Sequence, residues 1–284
     1  MTLMDCHTHT QFSADSEADI IECVERACEL GLAAYAITDH CECNAWYAEE
    51  HYAPEERAVL DYYNYGADFE NSAAAVTALK EKYAGRLNLL CGTELGQILL
   101  DTDIARKVNA DQRLDFIIGS VHQIKGEKDF YFIDYDKMTM DEIYVLLERY
   151  FTEVYEMCRT GLFDVLGHIT YCLRYMKQRH GICADISRFD DIIAESFRIL
   201  ARNGKGIEIN TSGLRQGFGD SFPGLKYTKL FKDLGGEILS IGSDAHFAKD
   251  IGADVETAVR TAFDAGFTRL AYFKKRQPQF ISIS

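Results

Sequence analysis

Short apolar runs recur along the chain, each followed by polar or glycine residues and then by a stretch of helical periodicity. The runs cover 3–6, 34–38, 87–91, 115–118, 163–166, 206–209 and 237–241. Strands buried on both faces read as continuous apolar runs, and runs of this kind between helical segments indicate successive βα units around a parallel sheet. Between the first two, 16–30 sets Ile20, Cys23, Val24, Ala27 and Leu30 at helical spacing and meets Gly31, a C-terminal cap. Similar spacing predicts helices over 67–83, 139–159, 189–203, 226–234 and 254–265, so strand and helix alternate to the end. Two stretches break the rhythm: 41–65, rich in aromatic and acidic residues, and 123–137, with charges, Gly126 and further aromatics. Long connections of this kind are expected as lids or binding loops over one face of the sheet, or as surface embellishment.

The 284 residues suit one α/β barrel, so 1–284 is expected as a single domain. With 47% hydrophobic and 26% charged residues the composition is that of a soluble globular protein. The first residues lack the basic and long apolar regions of a signal peptide, and no run approaches the length of a membrane span. Nine scattered cysteines do not read as a secreted disulfide framework, and a cytoplasmic location is expected. A net charge of −15 disfavours nucleic acid and anionic membrane as partners and favours a small substrate.

The chemistry lies just beyond the apolar runs. His7 and His9 follow the first, His40 the second, Glu94 the third, His122 the fourth, His168 the fifth, and Asp244 with His246 the seventh. In a parallel barrel all strand ends of one polarity open on one face, so these residues converge there. Imidazole and carboxylate suit Zn, Fe or Mn, and a carboxylate can bridge adjacent ions. The two imidazoles of His7-Thr8-His9 share one side of an extended segment. Asp39 is placed to orient a ligand or to cap a turn or a helix. Asp15 is a further ligand candidate or the cap of the helix beginning near Ser16. His51 and His180 fall outside the pattern and read as surface residues, and Cys41 and Cys43 as structural thiols.

Together, His7-Thr8-His9, Thr38-Asp39-His40, Gly119-Ser120-Val121-His122, Gly167-His168 and Ser243-Asp244-Ala245-His246 resemble the polymerase and histidinol phosphatase (PHP) family over about the whole chain. The segment Glu208-Ile209-Asn210-Thr211-Ser212-Gly213-Leu214-Arg215 resembles its stand-alone histidinol-phosphate phosphatase branch. The resemblance implies a distorted (β/α)7 TIM-like barrel with a trinuclear metal centre at the C-terminal ends of its strands. His7, His9, Glu94 and Asp244 would hold one ion. Glu94 would bridge to a second held by His122 and His168, and Asp15, His40 and His246 would hold the third. One departure is Thr170, where relatives often carry an acidic residue two positions after the Gly-His pair. Arg174 resembles the phosphate-binding arginine of that branch.

The expected reaction is hydrolysis of L-histidinol phosphate to L-histidinol and phosphate, with a hydroxide bridging two ions attacking phosphorus in line. Arg174 and Arg215 would grip the phosphoryl oxygens. Asp244 and His246 are candidates for the acid that protonates the leaving oxygen, subject to their metal roles. Aromatic residues around Trp46 and Tyr131 would close over the substrate, with acidic side chains meeting its amine. Alternatives are a nucleotide phosphodiesterase or exonuclease on the same metals, a metal-binding module without turnover, and an amidohydrolase, for which no suitably placed lysine is found.

Overall fold

The computed structural model describes residues 3–43 and 64–283. In chain order they form β1 (Met4–Asp5), α1 (Ile20–Glu29), β2 (Ala34–Ile37), β3 (His40–Glu42), α2 (Ala67–Lys82), β4 (Leu89–Gly96), α3 (Thr102–Asn109), β5 (Phe116–Ser120) and α4 (Met140–Thr160). There follow β6 (Val165–Leu166), α5 (Arg174–His180), α6 (Asp190–Arg202), β7 (Gly206–Asn210), the short α7 (Ser212–Arg215), α8 (Leu225–Asp233), β8 (Leu239–Gly242), α9 (Val255–Asp264), β9 (Arg269–Lys274) and β10 (Gln277–Ser282).

Strands β1, β2, β4, β5, β6, β7 and β8 lie side by side and parallel, and β3 continues the line of β2 along β4, setting His40 opposite Glu94. The first and last staves also meet. Cys6 N–H donates to Ile241 O at 2.9 Å, Asp244 N–H to His7 O at 2.7 Å and His9 N–H to Ala245 O at 2.9 Å. The result is the α/β barrel of seven parallel staves that the alternating runs imply. Every residue of β4 and β5 is buried, which is why these strands read as apolar runs rather than as alternation.

Helix α1 buries Ile20, Cys23, Val24 and Ala27 against the barrel. It begins later than 16 because Asp19, not Asp15, is its N-cap and accepts from the N–H groups of Ile21 and Glu22. Helix α4 begins with a reciprocal Thr139–Glu142 capping box and ends at Gly161 in the left-handed region. Helices α3 and α5 escaped the periodic reading because α3 buries only Ala105 and Val108 and α5 only Met176.

The chain does not end in a further βα unit. Strands β9 and β10 form an antiparallel hairpin whose turn places Lys275 and Arg276 at φ of 48° and 63°. Two successive residues at positive φ mark a turn type usually announced by Asn-Gly, so Lys-Arg gave no signal. The turn covers the N-terminal mouth of the barrel. Arg276 reaches Asp164 at 2.5 and 3.1 Å, and Lys275 N–H donates to Asp115 at 3.0 Å.

In the 123–137 excursion, Phe130 and Tyr135 are buried within two short 3-10 turns while Tyr131 stays exposed. In the 41–65 excursion Cys41 and Cys43 are buried, whereas 44–63, including Trp46 and His51, lies outside the described residues. Among the described residues no helix is long and apolar enough to cross a membrane.

Candidate functional site

The C-terminal mouth receives all nine candidate ligands. His7 and His9 follow β1, His40 opens β3, Glu94 lies near the end of β4, His122 follows β5, His168 follows β6, and Asp244 and His246 follow β8. Asp15 comes over the rim from the loop before α1. Glu94 is the hub. Its Oε2 lies 3.2 Å from His7 Nε2, 3.5 Å from His9 Nε2 and 3.2 Å from His40 Nδ1. Its Oε1 lies 3.0 Å from His122 Nε2 and 2.7 Å from His168 Nε2. Asp244 Oδ1 is 3.4 Å from His9 Nε2, and Asp15 Oδ2 is 3.0 Å from His246 Nε2.

Several triads have the compactness that a cation needs: His7, His9 and Asp244; His7, Glu94 and His168; His40, Glu94 and His122; and His9, His40 and His246. His40 is thus shared between the Glu94–His122 group and the outer group with His246, and Asp15 Oδ1 is 3.7 Å from His40 Nε2. The donors fit metal ions better than one another. His7 Nε2 and His9 Nε2 point together at 3.1 Å, and His122 Nε2 and His168 Nε2 at 3.4 Å. Two imidazole nitrogens facing each other share at most one proton, whereas a cation can accept both lone pairs.

Three further carboxylates orient these imidazoles. Glu208 Oε1 sits 2.7 Å from His7 Nδ1, and its Oε2 accepts the backbone N–H of His168 at 3.1 Å. A ring nitrogen tied up in this way leaves the other free to bind metal. Glu208 reaches His7 only because residue 242 is glycine, since a Cβ there would collide with both side chains. Glu42 Oε1 plays the same part for His122, 3.1 Å from Nδ1. Asp39 braces the first loop: it accepts the Thr10 N–H at 2.6 Å and the Thr10, Ser13 and Ser72 hydroxyls at 2.8, 2.8 and 2.6 Å. The Ser13 hydroxyl in turn lies 3.1 Å from His9 Nδ1. Asp39 therefore braces the Thr10–Ser13 turn and reaches His9 through Ser13, and it caps no helix among the described residues.

Burial alone would depress the imidazoles of His7, His40, His122 and His246, but their carboxylate neighbours hold all four above the ordinary value. His9, surrounded by burial and by the charges of His246 and His40, is pulled down to about 3. Burial would raise the carboxyls of Glu94, Asp244 and Asp15, yet the facing imidazoles keep them well below their usual range. The cluster is one of mutually dependent charges, the electrostatic setting of a cation-binding or catalytic site. Asp244 adopts φ 54°, held there by its N–H bond to His7 O. Such backbone outliers concentrate at functional sites.

Of the candidate ligands, Asp15, His40, Glu94, His122, His168, Asp244 and His246 line one cavity of about 890 Å³. Arg174 is on its wall, with Nη1 3.7 Å from Asp244 Oδ2 and Nη2 bonded to Gln216. Arg215 also lines it, but two of its N–H groups go to the carbonyls of Ser243 and Asp244 at 2.9 and 3.0 Å, bracing the turn that carries Asp244. Tyr131, Phe132, Tyr171 and Tyr175 supply an aromatic wall, while Phe247 and Lys249 stand in the loop after His246. Thr170, the departure from the expected acidic residue, is buried beside His168. His180 is not a plain surface residue: it pairs with Asp136 at 2.9 Å and meets the Tyr135 ring edge-on. Glu42 was not singled out from the sequence because it lies just inside an apparently irregular segment. Glu208 was noted only as part of a resemblance; a carboxylate in the middle of a buried strand was the signal available.

Comparison with known proteins agrees with this geometry. A family model described as PHP domain matches residues 5–212. The protein named "Probable histidinol-phosphatase" in Thermotoga maritima is 28% identical over 275 residues, covering 96% of this chain and 97% of its own. The histidinol-phosphatase of Lactococcus lactis is 27% identical over 285 residues, covering 96% of this chain and 95% of its own. The crystal structure of histidinol phosphate phosphatase from Lactococcus lactis, complexed with zinc, L-histidinol and phosphate, superposes with a TM-score of 0.80 at 23% identity, over 98% of this chain and 99% of that one. With the family match running from β1 to the start of α7, over more than half of its length, the chain belongs to the PHP domain family.

Proposed function

We propose that the protein is a metal-dependent phosphomonoesterase that hydrolyses L-histidinol phosphate to L-histidinol and phosphate. The observation that carries the reading is the convergence of six imidazoles and three carboxylates at one mouth of the barrel around Glu94, with two arginines in the wall of the adjoining cavity. The names of its relatives and the ligands of the superposed Lactococcus structure supply the substrate.

Three divalent ions are the stoichiometry the donors support: His7, His9, Glu94 and Asp244 for one, Glu94, His122 and His168 for the second, and Asp15, His40 and His246 for the third. When bound, such ions supply a hydroxide nucleophile at neutral pH and offset the charge of the phosphoryl group. The chain's own residues do the rest. Arg174, desolvated beside Asp244 and backed by Tyr171 and Tyr175, presents a planar fork to phosphate oxygens. Arg215 holds the Ser243–Asp244 turn and presents its remaining donors to the cavity. Glu208, Glu42 and Ser13 fix the ring orientations, so the donors need little rearrangement to meet a cation. His246 at the rim, with Nδ1 3.0 Å from Asp244 O and Nε2 facing Asp15, is oriented to serve as a ligand of the third ion rather than as the proton donor to the departing alkoxide.

The test is phosphate release from L-histidinol phosphate by chelated protein, by protein reconstituted with Zn, Mn or Fe, and by a reconstituted His122→Ala variant. The reading requires activity that chelation removes and metal restores, and at least a hundredfold loss in the variant. Preferential nucleotide release from short oligonucleotides, or bound metal with no hydrolysis of any phosphomonoester, refutes it.

A further inference from the structure

Gln97 directly follows β4 at the metal-binding mouth and is 2% exposed. Nearly all of its hydrogen-bonding capacity is spent on the protein. Its backbone N–H donates to Ser120 O at 3.1 Å, its carbonyl accepts the Leu100 N–H at 2.9 Å, and its side-chain Oε1 accepts the backbone N–H of His122 at 3.1 Å. The last of these bonds settles which way the carboxamide faces, because a backbone N–H has to meet the oxygen and not the NH2. The NH2 is what is left. Nε2 has no hydrogen-bond partner among the described residues, and it opens on the cavity, whose wall includes Gln97 beside His122. A desolvated amide donor without a partner is costly, and a ligand that brings an acceptor recovers that cost.

The backbone carries the same message. Gln97 adopts φ 52°, in the left-handed region that a long side chain rarely occupies. Such a residue persists where its surroundings over-determine it, and these residues concentrate at binding and catalytic sites. Here the bonds to Ser120, Leu100 and His122 do the fixing, so the carboxamide is held in place before any ligand arrives.

Its position narrows the ligand. Glu94 turns Oε1 toward His122 and His168 and Oε2 toward His7, His9 and His40. Gln97 belongs to the His122 side, whereas Arg174 stands by Asp244, which faces His9. A group drawn between these sides by cations presents anionic oxygens. A carboxamide donates to such an oxygen without adding a positive charge beside the metal ligands, where a lysine would compete with the ions by repulsion.

We propose that Gln97 Nε2 donates to a phosphoryl oxygen of the substrate from the His122 side, while Arg174 grips the same group from the Asp244 side. The proposal rests on the reading of the site as a phosphomonoesterase and adds a neutral, preset phosphoryl-binding residue that no motif announced.

The experiment compares wild type with Gln97→Glu, which keeps the acceptor for the His122 N–H but loses the donor, and with Gln97→Ala, which loses both. Inorganic phosphate affinity is measured by calorimetry on zinc-saturated protein, with zinc content determined, alongside kcat/KM for L-histidinol phosphate and for p-nitrophenyl phosphate. Loss of a hydrogen bond to a charged group weakens phosphate binding about tenfold to a hundredfold in Gln97→Glu. Both kcat/KM values fall by a similar factor, because the contact is to the part the two substrates share, and zinc content stays at the wild-type level. Phosphate affinity of Gln97→Glu within about twofold of wild type overturns the proposal, since one lost bond of this kind moves it further; if Gln97→Ala is then impaired, Gln97 serves only to hold His122. A loss confined to L-histidinol phosphate also overturns it, placing the donor on the organic part of the substrate. Should Gln97→Glu fail to hold zinc, Gln97→Met, which has a side chain of similar length and no donor, takes its place under the same criteria. The readings fail separately. Gln97-dependent phosphate binding by a wild type that hydrolyses no phosphomonoester sinks the proposed function and keeps the contact. Hydrolysis of L-histidinol phosphate with phosphate binding indifferent to Gln97→Glu does the reverse.

Discussion

Glu208 holds two candidate ligands at once, which makes Glu208→Gln an informative substitution. Its Oε1 faces His7 Nδ1 at 2.7 Å, while its Oε2 accepts the His168 backbone N–H at 3.1 Å and the Asn210 side-chain amide at 3.4 Å. Glutamine keeps one acceptor and adds a donor. With its oxygen toward His7, the new NH2 confronts the His168 N–H and the Asn210 amide, leaving a buried donor unsatisfied at a cost of about 1–3 kcal/mol. With its nitrogen toward His7, it donates to Nδ1 and moves the ring proton to Nε2, the nitrogen that faces Glu94 and His9. Either arrangement disturbs a ligand. Loss of an outer hydrogen bond to a metal-bound histidine typically weakens binding about 10–100-fold, which is about 1.4–2.7 kcal/mol. A competition titration of zinc against a chromophoric chelator measures this, alongside thermal unfolding of the chelated protein. A zinc affinity within about twofold of wild type, combined with a lowered melting temperature of the metal-free protein, would refute the orienting role and leave Glu208 as a packing brace.

Three other outcomes follow from the same contacts. Asp39→Ala strands the Thr10 N–H and three hydroxyls around the first loop, so urea unfolding of the metal-free protein should show a loss of about 3 kcal/mol or more, with weaker zinc binding through His9. Arg276→Ala leaves Asp164 in the barrel floor with Lys205, at 3.6 Å, as its one remaining cationic partner among the described residues. Breaking such a buried pair costs about 3–5 kcal/mol, seen as a lower denaturation midpoint, while kcat/KM of the folded fraction is retained because the hairpin sits at the opposite mouth. Without metal, carboxylates hold His7, His40, His122 and His246 above the ordinary imidazole range, so protons compete with cations for these nitrogens. Zinc affinity should therefore fall as pH is lowered from 7 to 5, by at least about tenfold per unit where one proton is displaced. A titration flat over that interval would count against these residues as ligands.

The sequence by itself settled the repeating architecture and pointed to the candidate ligands at the strand ends. Residues that must be buried on both faces of a parallel strand are continuous in sequence, so the staves announced themselves as apolar runs, and the first polar residues beyond each run fall at the mouth by chain polarity alone. His7, His40, His122, His168 and Asp244 were legible for that reason. The terminal hairpin was not, because Lys275 and Arg276 adopt a left-handed turn that their residue types do not favour. The tertiary structure alone decided which ligand touches which. Glu94 became the hub only once β3 set His40 beside it and β5 and β6 delivered His122 and His168 to its other oxygen. Glu208 and Glu42 gained their contacts in the same way: a carboxylate in a strand carries no mark of its partner. Those partners lie 201 residues away for Glu208 and 80 for Glu42. Local pattern records burial and chain direction, whereas the pairing of charges is a property of where distant segments meet.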